Sequence, residues 1–318
     1  MVYGAVSRWY SASFECLTFE AKKDMKIRLL FRKGSLINQV INYIGVVKPL
    51  PSLLLTFMGV CAAIIADDGQ LSLRLFLVLI TILSAAAGAN GLTNYLDRDV
   101  DARMQRTKNR ALPAKRIYPP QKVLPLVVGL IIIGLALAWQ LHPLAFLAGL
   151  IGTLAAATWR KKVTCVYPQG VIASCAPILM GWFAIKPGLS WEILLLCILV
   201  AVWLPLHVWS LIITNREDYS QAGLSYFPIS YDVKASVRVL LVFSLLLYTT
   251  SIALYFIGSF AWFYLLSANL QGVVMVYASS RLVISGAAGD AWRLYKLSAV
   301  PYLGLTFLVM YLDIWLLG

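Results

Sequence analysis

Long apolar stretches separated by short polar ones occupy almost the whole chain after residue 48. A helix needs about 20 predominantly apolar residues to cross the hydrocarbon core of a bilayer. Windows of roughly that length occur at residues 49–66, 74–93, 123–141, 143–159, 169–185, 190–214, 237–257, 259–279 and 297–317. The pattern predicts an all-α, polytopic membrane protein with about nine transmembrane helices.

The composition of the 318 residues supports this class, since 60% are hydrophobic and only 13% are charged, far from the average of soluble domains. The five cysteines include no Cys-x-x-Cys pair, which argues against a zinc site or a disulfide framework. Residues 1–48 are mixed, with the basic run "KKDMKIRLLFRK", and lack the apolar run of a signal peptide. We therefore expect a basic N-terminal segment at 1–48 that touches anionic lipid, followed by one transmembrane domain at 49–318.

Basic residues are distributed unequally between the two sides of the predicted bundle. With nine spans, the amino terminus and every second loop share one side, and they hold all but two of the 27 Lys and Arg residues; the exceptions are Arg74 and Lys186. The positive-inside rule places that side in the cytoplasm, most simply that of a bacterial or archaeal plasma membrane. This distribution explains the net charge of +13 without a nucleic-acid partner.

A dense cluster of charge, "NYLDRDVDARMQRTKNRAL" at 94–112, follows the second apolar stretch. If the helix continues through residue 101, one face carries four oxygen-bearing side chains, those of Asn90, Asn94, Asp97 and Asp101. Like charges at i and i+4 repel each other unless something neutralises them, and Mg²⁺ prefers carboxylate and amide oxygens. The spacing alone leaves a second interpretation open, a solvated loop whose acids pair with Arg98, Arg103 and Arg106.

Two further clusters are predicted on the same side of the membrane. "NREDYSQAG" brings Glu217 and Asp218 to the end of one span, and "TWRKKVT" brings Arg160, Lys161 and Lys162 to the end of another. Cations also follow the acids of the first cluster, at Arg106, Lys108, Arg110, Lys115 and Arg116. Each run alone could be a membrane anchor. Together, acids for a metal and cations for the remaining charge favour a diphosphate site.

The spacing Asn94-x-x-Asp97-x-x-x-Asp101 resembles the first aspartate-rich motif of the UbiA-type intramembrane prenyltransferases. The longer segment 94–112 is similar to the branch of that family that farnesylates protoheme IX. Four other stretches fit that branch in order: "VVKP" at 46–49, "TWRKKVT" at 158–164, "WLPLHVWSLIITNREDYSQAG" at 203–223 and "RLYKLSAVPYLGLTFLVMYLD" at 293–313. The resemblance covers the chain from about residue 46 to its end.

The resemblance implies a UbiA-type helix bundle that uses Mg²⁺ to transfer a farnesyl group from farnesyl diphosphate to a vinyl group of heme b, giving heme O. It implies metal ligands at Asn94, Asp97, Asp101 and Asp218, with Arg110 and Lys162 also catalytic. The diphosphate would contact Arg98, Arg106, Lys115, Arg116, Arg160, Lys161 and Tyr219. His207 and Trp203 would contact the porphyrin; the alternative is a packed histidine bonded to a backbone carbonyl that Pro205 frees.

Three departures from the family pattern leave the acceptor open. Arg110-Ala111-Leu112 stands where Arg-Pro-Leu is usual, "WLPLHVW" stands where Trp-Thr-Pro-Pro-His-Phe-Trp is usual, and "CVYPQG" lacks an expected Asn. A different lipophilic acceptor, such as a phenol, a quinone precursor or a lipid, is therefore an alternative. A transporter is a remote alternative, because its essential polar groups would lie near the bilayer midplane. The sequence predicts no oligomeric state.

Overall fold

The computed structural model describes residues 36–158, 167–258 and 260–317, and within these ranges all regular secondary structure is helical. The chain divides into two units, Met1–Ile44 and Gly45–Gly318. Residues 36–44 are the described part of the first unit, and they belong to helix α1 (Leu36–Val46). The second unit begins four residues before the domain boundary expected from the sequence.

The second unit is a bundle of helices connected mostly by short turns. Its helices are α2 (Pro49–Ala66), α3 (Leu73–Asp101), α4 (Leu124–Leu141), α5 (Pro143–Thr158), α6 (Gln169–Ile185), α7 (Trp191–Thr214), α8 (Arg216–Gln221), α9 (Val233–Ile257), α10 (Trp262–Ser285), α11 (Ala288–Leu297) and α12 (Leu305–Leu317). Within the described ranges, six segments are long and apolar enough to cross a membrane, and α5 and α6 are shorter apolar helices. The chain is therefore a multi-pass integral membrane protein, as predicted.

Two of the predicted spans differ from the observed helices in ways that matter for the site. Helix α3 does not stop at residue 93 but continues to Asp101, so the helical spacing on which the metal hypothesis depended is present. The last span is interrupted by a π-helical segment, Ser298–Gly304, between α11 and α12. Pro301 lacks a backbone N–H, and Ala299 has a non-helical ψ of −126°; together they account for the break.

Small residues let neighbouring helices approach closely. A Cβ atom added at Gly181 on α6 would lie 1.9 Å from the backbone oxygen of Gly59 on α2, so only glycine fits this crossing. Close contact at small residues is the usual way in which membrane helices pack.

Successive spans run in opposite directions, so the start of α2 and the ends of α3 and α7 meet at one end of the bundle. Two hydrogen bonds document this meeting. Lys48 Nζ donates to Thr93 Oγ1 at 3.1 Å, and the backbone N–H of Gln105 donates to Asp218 Oδ1 at 2.6 Å. The charged segments that are far apart in sequence are thus neighbours in space.

Candidate active site

A cavity of about 380 Å³ lies between α2, α3, α5, α6 and α7. One part of its wall is polar and carries three cations, Lys48, Arg106 and Arg110, together with the carboxylate of Asp97. Asn90 and Thr93 add neutral polar groups on the same side. A net positive wall that includes one hard oxygen ligand suits a polyanion bound together with a divalent metal.

The rest of the wall is mostly apolar. Helices α3, α5 and α6 contribute small residues to it: Ala85, Ala86, Ala89, Gly149, Gly152, Ala156, Ala173 and Ala176. Ile82 also lines the cavity, and it precedes Asp97 by fifteen residues of α3, or about 22 Å along a helix axis. The cavity therefore joins a charged end to a deep, narrow apolar interior.

Lys48 lines the cavity, although it was not among the predicted site residues. It stands immediately before α2, with a left-handed backbone (φ 48°) that is uncommon for a residue with a side chain. Its ammonium group donates to Thr93 Oγ1 on α3. The available signal was a single cation directly before Pro49, in "VVKP".

Asp101 and Asn94 hold Arg110. The guanidinium of Arg110 donates through Nη1 to Asp101 Oδ2 at 2.9 Å and to Asn94 Oδ1 at 3.4 Å. Asn94 in turn donates from Nδ2 to the backbone oxygen of Val46 at 2.6 Å. Asp101 is only 1% exposed, and Asn94 is also buried. These two predicted ligands thus fix a cation at the cavity wall, while Asp97 itself lines the cavity.

Asp218 contacts the loop that follows α3. Its Oδ1 and Oδ2 atoms accept hydrogen bonds from the backbone N–H groups of Gln105 (2.6 Å) and Arg106 (3.2 Å). The neighbouring phenol of Tyr219 accepts a bond from Arg106 Nη2 at 3.3 Å. Asp218 and Tyr219 therefore orient both the backbone and the side chain of Arg106.

The predicted carboxylate set is not gathered into one metal-binding cluster. Among the described residues, no group of three or more His, Cys, Asp or Glu side chains could hold a metal ion. Mg²⁺, however, usually takes only one or two carboxylates from a protein and completes its shell with substrate phosphate and water. Asp97 at the cationic wall meets that requirement, so the residues fit a Mg²⁺ ion that is bound jointly with a diphosphate.

His207 and Trp203 lie behind the cavity wall. The His207 ring stacks on Trp203 (centroids 4.9 Å apart) and on Tyr295 (4.6 Å), and Tyr295 is the member of the three that lines the cavity. His207 Nδ1 lies 3.1 Å from Ser298 Oγ. The structure thus has a packed histidine, but its partners are this hydroxyl and the backbone of Tyr295, and not a carbonyl freed by Pro205.

The remaining predicted cations divide into two groups. Arg98, Lys115 and Arg116 are described and are absent from the cavity wall in the described part of the chain. Arg98 pairs with Asp99 at 3.6 Å, and Arg116 donates to the backbone oxygen of Asn109 at 2.8 Å. The second group, Arg160, Lys161 and Lys162, falls outside the described residues, so its role stays a prediction.

Two phenols near the cations stay protonated at neutral pH. Burial raises the pKa of Tyr219, although Arg106 acts in the opposite direction. Burial also raises the pKa of Tyr226, with smaller contributions from Tyr219 and Asp97. Both hydroxyls are therefore neutral hydrogen-bond donors. Tyr226 and the cavity-lining Tyr295 were not predicted, because nothing in the sequence around either tyrosine marks it as a site residue; Trp209, which also lines the cavity, was expected only as an aromatic neighbour of His207.

Comparison with known proteins gives the same family as the motifs. The model of the UbiA prenyltransferase family matches residues 52–300. A protoheme IX farnesyltransferase from Desulforudis audaxviator is 34% identical over 282 residues, which cover 86% of this chain and 88% of that protein.

Solved structures show the same fold. A digeranylgeranylglyceryl phosphate synthase aligns with a TM-score of 0.71 at 17% identity, over 87% of this chain and 99% of that one. A UbiA homologue from Archaeoglobus fulgidus, solved with GPP and Mg²⁺, aligns with a TM-score of 0.57 at 14% identity, over 85% of this chain and 99% of that one. The chain belongs to the UbiA prenyltransferase family and is a membrane-embedded prenyltransferase.

Proposed function

We propose that this prenyltransferase moves a farnesyl group from farnesyl diphosphate to a vinyl group of heme b, giving heme O, in a Mg²⁺-dependent reaction. The observation that carries the prenyl-transfer chemistry is the cavity, in which Asp97 and three cations adjoin a deep apolar interior. The relative that is 34% identical and named protoheme IX farnesyltransferase supports heme b as the acceptor.

The diphosphate binds at the polar part of the cavity. Lys48, which precedes α2, and Arg106 and Arg110, from the loop after α3, face its oxygens from two segments of the chain, and planar guanidinium groups suit such oxygens well. Asp97 is the metal ligand that the geometry favours, while Asn94, Asp101 and Asp218 stay candidate ligands. When bound, Mg²⁺ supplies Lewis-acid stabilisation of the leaving group. The Archaeoglobus homologue solved with GPP and Mg²⁺ supports this assignment.

The reaction begins when the C–O bond of the allylic diphosphate breaks and its electron pair leaves with the diphosphate. Lys48, Arg106 and Arg110 stabilise the negative charge that develops there, and fixed charges of this kind usually supply the largest catalytic effect. The farnesyl cation stays among apolar side chains such as Ile82 and Ala85, where little water can reach it.

The vinyl group of the acceptor then attacks the farnesyl cation. Its π electrons form the new C–C bond, which leaves a cation on the carbon next to the porphyrin ring. Water adds to that carbon and releases one proton, so the product carries a hydroxyethylfarnesyl side chain. This last step requires water to reach the acceptor after the bond has formed.

The polar part of the site faces the cytoplasm in this proposal. Arg74 and Lys186, the two basic residues assigned to the other side, lie at the start of α3 and just after α6, far along these helices from the charged loops. The basic bias of the remaining loops supports this orientation. Arg160, Lys161 and Lys162 would add cations on the same side.

A different acceptor is the second candidate, and Val208 is the observation that favours it. This residue lines the cavity beside Trp209, at the position where the heme-farnesylating branch usually has Phe. A smaller side chain changes the shape of the wall on which a planar acceptor would rest.

The test of the proposal is to express the chain in a bacterial host that lacks heme O synthase and to analyse extracted hemes by mass spectrometry. We expect heme O with the wild-type chain and none with Asp97→Asn. Comparable membrane levels of both proteins are the control. If the wild-type chain restores no heme O but membranes prenylate an added phenol, the second candidate is correct.

A further inference from the structure

Four aromatic rings form a continuous stacked column beside the cavity. His207 stacks on Trp203, with centroids 4.9 Å apart and planes at 16°, and on Tyr295, at 4.6 Å and 29°. Tyr295 stacks on Trp292 at 5.1 Å and 26°. Of these four rings, Tyr295 is the one that lines the cavity. The column therefore supports one ring, which can touch a bound substrate.

Ser298 holds this column in place through hydrogen bonds. Its backbone oxygen accepts a hydrogen bond from Trp203 Nε1, and its hydroxyl lies 3.1 Å from His207 Nδ1. The same hydroxyl donates to the backbone oxygen of Tyr295 at 2.9 Å. A serine hydroxyl has a single proton, so when Ser298 donates to the backbone oxygen of Tyr295, His207 Nδ1 is the donor to Ser298 Oγ. One fully buried serine thus connects His207 to the residue on which it stacks.

The position of Ser298 in the fold explains this role. It begins the π-helical segment that interrupts the last span, and such segments often occur at functional sites. Because α11 ends at Leu297, the orientation of Tyr295 in the last turn of that helix depends on contacts from α7. His207 supplies the ring contact to Tyr295, and Trp203 supports it by stacking on His207 and donating to Ser298.

We infer that His207 is a positioning residue, which holds the Tyr295 ring against the cavity, and that Tyr295 contacts the acceptor. Helix α7 packs against α11, which carries Tyr295, and lines the cavity with Val208, Trp209 and Ile212. These side chains are larger than those of the small-residue wall that suits a prenyl chain. Because His207 and Trp292 stack on the Tyr295 ring, a bound acceptor contacts the edge and the hydroxyl of that ring. This inference rests on the proposed function only for the identity of the acceptor.

The experiment is a double-mutant cycle on the purified enzyme, with KM measured separately for heme b and for farnesyl diphosphate. His207→Ala should raise the KM for heme b by about 5- to 10-fold, the effect of losing one aromatic pair, and change the KM for farnesyl diphosphate less than about twofold. Tyr295→Ala should raise the KM for heme b at least as much. Because His207 acts through Tyr295, the double variant should match Tyr295→Ala alone.

His207→Phe is the conservative variant, since it keeps a ring in the column and removes the imidazole. Its KM for heme b should stay within about threefold of the wild-type value, by the same aromatic-pair argument. If His207→Phe is as impaired as His207→Ala, the imidazole itself acts on the substrate and the inference is overturned. The inference is also overturned if the two substitutions act independently, so that the rise in the KM for heme b in the double variant is the product of the rises in the two single variants.

Trp139→Leu is the matched control. It removes a ring pair with Phe146 (5.3 Å) that does not line the cavity in the described part of the chain, and both KM values should stay within about twofold. If Trp139→Leu raised the KM for heme b as much as His207→Ala does, the effect of His207→Ala would be explained by general loosening of the bundle and the inference would be overturned. Should His207→Ala fail to fold, Ser298→Ala replaces it, with an expected rise of about two- to threefold for one hydrogen bond.

The wild-type enzyme separates this inference from the proposed function. If it prenylates a phenol and not heme b, the proposed acceptor is wrong, and the same cycle is then measured with the phenol. If it prenylates neither, both the proposed function and the inference fall.

Discussion

The guanidinium of Arg110, in the loop after α3, lies 2.9 Å from a carboxylate oxygen of Asp101, the last residue of that helix. Asp101 ends α3 and is 1% exposed, while Arg110 also lines the cavity. This ion pair therefore links the helix that carries the acidic motif to the cation that faces the substrate.

Arg110→Gln should impair both stability and catalysis. It removes the guanidinium that pairs with the buried carboxylate of Asp101, at a cost of about 1–3 kcal/mol because Arg110 itself is partly exposed, and it removes a positive charge from the cavity. Thermal unfolding in detergent and prenyl-transfer rates measure the two effects. The double variant Asp101→Asn/Arg110→Gln should regain stability but not activity. Lys108→Gln, on the same loop, is the control that should change neither; regained activity in the double variant would contradict the role of Arg110.

Asp97→Asn should lower the turnover number at saturating Mg²⁺ by about 100-fold or more, the scale of losing one transition-state charge contact. Asp97 lines the cavity and is the carboxylate placed to share a metal with the diphosphate. Asp99→Asn is the matched control two residues away, since the Asp99 side chain is 74% exposed and pairs with Arg98. Near-normal turnover in Asp97→Asn, or equal losses in both variants, would remove Asp97 from catalysis.

Asp218 offers a test between a metal ligand and a residue that orients the loop. Because its oxygens accept backbone N–H groups of Gln105 and Arg106, Asp218→Asn should raise the KM for farnesyl diphosphate by about tenfold, as expected when a charge-assisted bond is weakened. The Mg²⁺ concentration for half-maximal rate should stay within about twofold. A large rise in that Mg²⁺ requirement, at saturating diphosphate, would show direct metal coordination.

Much of this fold follows from the sequence because the bilayer constrains it strongly. Uninterrupted apolar length predicts α2 and α6 to the residue, since the ends of a span are set by where polar groups begin. The break at Ser298 was not predicted, because Pro301 is tolerated in many membrane helices when neighbours satisfy the freed backbone groups.

The site was only partly predictable for a physical reason. Helical spacing placed Asp97 and Asp101 on one face, but their roles differ in the structure. Asp97 lines the cavity, whereas Asp101 accepts a hydrogen bond from Arg110 of the following loop. Which cation of the loop pairs with Asp101 depends on how residues 102–119 fold. This stretch forms turns and not a helix, so helical spacing cannot predict the pair. Lys48 and Tyr295 lie in the stretches 46–49 and 293–313 that resemble the family, but they reach the cavity from distant parts of the chain, so their meeting at one site depends on the fold.

Gly181→Ala should destabilise the bundle strongly. The added Cβ would lie 1.9 Å from the backbone oxygen of Gly59, so α2 and α6 must separate, and overpacking of this kind typically costs about 1–3 kcal/mol. Gly129→Ala in α4 is the matched control, because a Cβ there meets no atom within 4 Å. Thermal unfolding of both variants in the same detergent compares them; equal stability would contradict the close helix crossing.

The proposed reaction is tested most directly with the purified wild-type protein, farnesyl diphosphate and heme b, with Mg²⁺ and with a chelator. Mass spectrometry of the extracted porphyrins identifies the product. We expect, only when Mg²⁺ is present, a heme whose mass has increased by one farnesyl group and one hydroxyl. Unmodified heme b in the presence of Mg²⁺, from a protein that still binds farnesyl diphosphate, would contradict it.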